Sequence, residues 1–171
     1  MLREGAEEAP LIRRWMVGVV LVTALACAKS HQLTDTSSTI LALASSRPNV
    51  ATFISMLETS GVDAKLRGSD PITVLTPSNV ALDALGADRI RFLMSVEGSV
   101  ELTKLVNAHV FPGALSAEDV ARGKLPPNLE GKRIEASKAS DGTPRVQGTG
   151  KILESMMGSN GYVHIIDTVL R

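Results

Sequence analysis

The segment Asn160 to Leu170, NGYVHIIDTVL, constrains the fold more than any other part of the chain. Successive side chains of a strand alternate between faces, so Val163, Ile165 and Asp167 share one face and His164, Ile166 and Thr168 the other. Both faces are then mostly apolar, which requires cover on both sides of the sheet. Asn160-Gly161 just ahead is a turn signal, because both residue types tolerate positive φ. A strand over Tyr162 to Leu170 is therefore expected at the centre of a sheet, and the domain is expected to close on it.

Upstream, the clearest helix starts at Pro48, carries Val50, Phe53, Ile54 and Leu57 at i, i+3, i+4 and i+7, and stops at Gly61. A short helix over Thr39 to Ser46 precedes it. The β-branched run Ile72 to Leu75 predicts a strand, and Pro77 and Asn79 turn the chain into a short helix that buries Val80, Leu82 and Leu85. Helices follow over Asp88 to Met94 and Ser99 to Val106, then a short strand at Val110-Phe111. Ser116 ahead of Glu118 and Asp119 reads as a helix start, a cap followed by acids in the first turn. From Lys124 onward strands are expected at Arg133 to Ala136, Arg145 to Gln147 and Lys151 to Met156. Helices first and strands after, with one early strand and no internal repeat, is a single α+β domain.

The 171 residues carry no formal net charge, and removing the first 27 subtracts three basic and three acidic groups, so the balance persists. Nucleic acid is therefore not an expected partner, since its capture needs clustered Lys and Arg. With one Trp, one Tyr and three Phe, stacking platforms for bases or sugars are scarce and the core must be aliphatic.

The N-terminus is a targeting segment. Arg13-Arg14 precede the uncharged apolar run Trp15 to Ala26, which is too short for the ~20 residues that a helix needs to span a bilayer. Thr23-Ala24-Leu25-Ala26-Cys27 resembles a bacterial lipobox, although Ala24 stands where Leu is usual. Residues 1–26 are accordingly expected to be a signal peptide of lipoprotein type. Cys27, the sole cysteine, would be the lipidation site, residues 27–37 the anchor and tether, and 38–171 the folded domain. The expected location is the cell envelope, outer membrane or periplasm where the organism has two membranes, with membrane contact through the lipid alone. Simple secretion is the alternative. A single cysteine leaves no internal disulfide.

Catalytic chemistry finds little footing. His109 and His164 lie in apolar strands and read as hydrogen-bonded core residues. His164 and Asp167 are three positions apart and so face opposite ways on a strand, which argues against a shared metal. Ser78 sits in no G-x-S-x-G turn, and with Thr76 and Asn79 it reads as a helix cap. Neither cofactor nor metal is expected, nor an enzyme.

NGYVHIID resembles the second segment of fasciclin-type (FAS1) domains, usually written NGxxHxIDxVL. TVLTPSNVAL, Thr73 to Leu82, resembles the first segment, and NAHVFPG, Asn107 to Gly113, the Tyr-His stretch between them. The matches keep their order over roughly residues 37 to 171. The resemblance implies a twisted β-sandwich or wedge with flanking helices, its first and last segments forming neighbouring central strands. It gives Thr76, Pro77, Asn79, His109, Asn160, Gly161, His164 and Asp167 structural roles. It also implies a non-enzymatic adhesion module whose partner is a surface or matrix protein or a polysaccharide, with a glycan- or small-ligand-binding protein as the alternative. The edge His109, Val110, Phe111 and Pro112 would meet a partner, with Ala108 standing where the family has Tyr.

Overall fold

A computed structural model describes residues 33–34 and 38–171; the expected signal peptide, the expected lipidation site Cys27 and most of the expected tether lie outside them. Seven strands form one mixed sheet: β1 (Leu33–Thr34), β2 (Ile72–Pro77), β3 (Val110–Pro112), β4 (Ala136–Lys138), β5 (Pro144–Val146), β6 (Gly150–Gly158) and β7 (Gly161–Ile166). Their order is β3-β2-β7-β6-β5-β4, with β1 alongside β6. The closing strand therefore lies at the centre, parallel to β2 and antiparallel to β6. It ends at Ile166, four residues earlier than the apolar pattern suggested. Val169 and Leu170 are buried without being sheet.

Both faces of β7 are covered. Val163 and Ile165, level with Val74 and Thr76 of β2, belong to the larger core together with Phe53, Leu57, Leu102 and Met156. Ile166 joins Leu75, Phe111, Val120, Val146 and Leu170 in a smaller core. The larger core is roofed by α1 (Ile40–Ser45), α2 (Ala51–Ser60), α3 (Asp63–Leu66), α4 (Asn79–Asp83), α5 (Ala87–Leu93) and α6 (Ser99–Ala108). The smaller one is closed by α7 (Ala117–Ala121) and the chain that follows it. No helix among the described residues is long and apolar enough to cross a membrane.

Local sequence accounts for the helix ends. Thr39 caps α1 through its hydroxyl, and Gly61 takes φ 71° to end α2, where a side chain would be strained. Ser116 and Asp119 form a reciprocal capping box on α7. Three expectations shift. Val80 is 79% exposed, while Ala81 and Leu82 carry the burial of α4. β4 begins at Ala136, where the expected strand ended. β6 is longer than expected, and its pairing slips between Ile152 and Glu154, a bulge that throws Leu153 out to solvent.

Candidate functional site

The sequence motifs converge on the β2–β7 pair and its two ends. Asn160 sits in the turn joining β6 to β7 and acts through its side chain, since its backbone does not adopt positive φ. Its carboxamide oxygen accepts from Ile40 N–H at 3.0 Å, and its nitrogen donates to the carbonyls of Leu66 at 2.8 Å and Gly68 at 3.0 Å. One amide thus fastens α1 and the end of α3 to the sheet. Gly161 has φ 143°, and a Cβ there would lie 1.7 Å from the Ile72 carbonyl oxygen. The two central strands approach each other too closely for a side chain at that point.

His164 is wholly buried. Its Nε2 lies 2.8 Å from the Leu115 carbonyl and its Nδ1 2.8 Å from the hydroxyl of Ser155, its partner across β6. A carbonyl can only accept, so Nε2 holds the proton and Nδ1 accepts from the serine. The ring also stacks on Tyr162 at 5.8 Å. Thr73 reinforces the contact from the same face, donating to Gly113 O at 2.7 Å and accepting from Leu115 N–H at 2.8 Å. Residues 113–115 are thereby pinned to the sheet.

His109 uses the opposite tautomer. Its Nδ1 donates to Leu105 O at 2.7 Å, and its Nε2 accepts from Leu170 N–H at 3.0 Å. It occupies the C-cap of α6 and not the following strand, which corrects its expected position. Its ring packs against Phe53 at 5.2 Å. Loss of hydration pushes both imidazoles down to about 4, outweighing the carbonyl bonds that favour the charged form. Each ring is neutral with both nitrogens engaged, so neither has a lone pair for a metal or a substrate proton.

The TPSN stretch divides its labour differently from the expected cap. Ser78 alone caps α4, accepting from Ala81 N–H at 3.2 Å. Asn79 reaches back to the start of α2, accepting from Thr52 N–H and donating to Pro48 O. Thr76 is buried with its hydroxyl unpartnered. Pro77 ends β2 opposite Ile166. Asp167 lies on the surface just beyond β7, where its carboxylate accepts from Lys151 N–H at 2.7 Å.

The edge expected to meet a partner is largely sealed. His109, Val110 and Phe111 are completely buried and Pro112 alone is exposed. The outer side of β3 is partly occupied by Leu129 N–H on Val110 O. A molecule at this edge would meet Pro112 and none of the other three side chains.

Groups able to do acid–base work are not assembled here. The displaced carboxyls Glu97, Asp119 and Asp141 are all displaced downward by hydrogen bonds within turns and caps, the reverse of what a general acid requires. No three His, Cys, Asp or Glu groups among the described residues lie close enough to hold a metal ion. The structural parts that sequence reading missed are Asn160's amide, Thr73 and Ser155. The local pattern offers no signal for Thr73, whose partners Gly113 and Leu115 are distant in sequence, or for Ser155, whose bond to His164 is set by the register of β6 on β7.

Residues 48–171 match the model of the fasciclin domain. The chain is 30% identical over 141 residues to protein sll1483 of Synechocystis, covering 82% of this chain and 77% of that one. It is 28% identical to human Stabilin-1 over 80% of this chain, and 29% identical to the pig transforming growth factor-beta-induced protein ig-h3 over 65% of it. It spans 5% and 16% of those two animal proteins. The structure overlays a FAS1 domain pair from the insect cell adhesion molecule fasciclin I with a TM-score of 0.68, at 14% identity, over 80% of this chain and 51% of that one.

Proposed function

As this chain belongs to the fasciclin family, whose domains serve adhesion and matrix contact, we propose that it is a non-enzymatic interaction module of the bacterial cell envelope. Cys27 carries the lipid anchor, and residues beyond it tether the domain to the membrane. The observation that supports this reading most is how the family segments are used. Asn160, Gly161, His109, His164 and Ser78 all spend their polar groups or their lack of a side chain on joining elements of the fold. Nothing in them is left for turnover, so function falls to the surface.

Two measurements test the proposal. Intact mass of the protein from native membranes should begin at Cys27 with an added diacylglyceryl group, and a lipid-free mass beginning elsewhere removes the anchor. Deleting the gene should weaken attachment or matrix formation while the purified protein turns over no ester, glycoside or peptide substrate. Normal attachment in the deletion strain, or turnover, refutes the module reading.

A further inference from the structure

Three surface cavities share walls. The largest of the three, about 520 Å³, is lined by Lys132, Arg133, Glu135, Gln147 and Arg171, so three cations face one carboxylate in its wall. A second of about 350 Å³ shares Gln147 and Arg171 and adds Thr149, Asp167 and Thr168. The third, about 430 Å³, shares Leu85, Val169 and Arg171 with the second and reaches Arg89. Together they make a groove from the β4–β5 region to the α4–α6 side of the domain, with Arg171 in the wall throughout.

The arginines single this groove out. Arg47, Arg67, Arg89, Arg91 and Arg122 are each ion-paired with a carboxylate, and Arg145 donates to Thr149 O. Arg133 and Arg171 are the two whose guanidiniums have no partner among the described residues, and both line the largest cavity. Gln147 lines the same cavity; it is the one non-glycine described residue at positive φ, 50°, and its amide nitrogen donates to Arg171 O at 3.1 Å.

The geometry points to this groove as a binding site for acidic polysaccharide, specifically a chain of carboxylate-bearing sugars. A guanidinium presents a planar fork that matches a carboxylate with two hydrogen bonds. Thr149, Thr168 and Gln147 supply partners for hydroxyls. Asp167 has one oxygen on Lys151 N–H and a second that accepts from a sugar hydroxyl, while its charge discourages a densely sulfated or phosphorylated chain. Half-buried Leu85 meets the C–H edge of a ring. No aromatic ring lines any of the three cavities, so bases have nothing to stack on and nucleic acid is disfavoured. The assignment rests on the interaction-module reading and names its ligand class.

The test uses the full chain, titrated calorimetrically with oligogalacturonate in EDTA, with sulfated and neutral dextran oligomers of similar length in parallel. Oligogalacturonate should bind, weaken as salt rises, and bind about tenfold more weakly to the Arg133→Ala/Arg171→Ala double variant, a loss on the scale of charge-assisted hydrogen bonds. Arg67→Ala, whose guanidinium is occupied by Asp63, should leave binding unchanged. Both arginines are exposed and unpartnered, so an unaltered melting temperature will confirm that the variants fold. The assignment is overturned by absent binding, by equal binding to the double variant, or by sulfated dextran binding as tightly as the uronate. If the uronate fails while the deletion strain still loses attachment, the groove assignment falls and the module reading stands.

Discussion

Acid should loosen this domain well before its carboxylates are protonated. His109 and His164 titrate at about 4 in the folded protein, against about 6.5 once unfolded. Between those values the unfolded chain binds two protons that the native state refuses, so stability is full above pH ~6.5 and falls as pH drops towards ~4. The limiting loss is about 3 kcal/mol per imidazole, and at pH 5 it is about 2 kcal/mol each. The combined ~4 kcal/mol is a large share of the ~5–15 kcal/mol typical of a domain. Asp119 and Asp141, displaced downward by their hydrogen bonds, contribute stability that is lost only at lower pH, so the two windows separate. Urea unfolding followed by far-ultraviolet circular dichroism from pH 7.5 to 4.5 reads the effect directly. His164→Gln should be less stable at pH 7 yet lose only about half as much on acidification. A midpoint that stays flat between pH 7 and 5, or a native-state imidazole resonance assigned to His109 or His164 that titrates near 6.5, would refute the reasoning.

Gly161→Ala places a methyl group against the Ile72 carbonyl and should cost roughly 4 kcal/mol or more, or prevent folding, as read by urea midpoint or soluble yield. Asn160→Ala removes three hydrogen bonds, two of them buried, and should cost about 2–4 kcal/mol; a melting temperature within a degree of the parent contradicts the role given to the amide. Thr76→Val replaces an unpartnered buried hydroxyl with a methyl of the same shape, and should be neutral or stabilise by about 1 kcal/mol. Destabilisation by that substitution would mean the hydroxyl is engaged.

What could be read in the sequence is what depends on neighbours along the chain. The two-faced pattern of residues 162–166 placed β7 at the centre of the sheet, and the periodic Val50, Phe53, Ile54 and Leu57, all buried, marked α2. Ser116 was legible because its capping partner Asp119 is three residues away. Errors arose where tertiary contacts decide. His109 sits among apolar residues and reads as strand, yet it ends α6 because its ring must reach both Leu105 and Leu170. Val80 has an apolar side chain on a turn-length helix whose buried face is set by β2, not by the spacing of its own residues. The groove was invisible for a related reason. Arg133, Gln147 and Arg171 carry no shared motif, and only the curl of the sheet sets them in one wall.

The parallel pairing of residues 72–77 with 161–166 also dictates the order in which the molecule can be assembled. Until the last strand has been synthesised, β2 has a neighbour on one side only, and both cores lack their innermost wall. A nascent or truncated chain ending before Gly161 therefore exposes the apolar backbone edge of Ile72 to Leu75, an invitation to pair with another copy. Such long-range closure makes for slow folding, because β2 is not enclosed on both sides until residues 161–166 pair with it. Truncation before Gly161 removes the keystone of the sheet and not its margin.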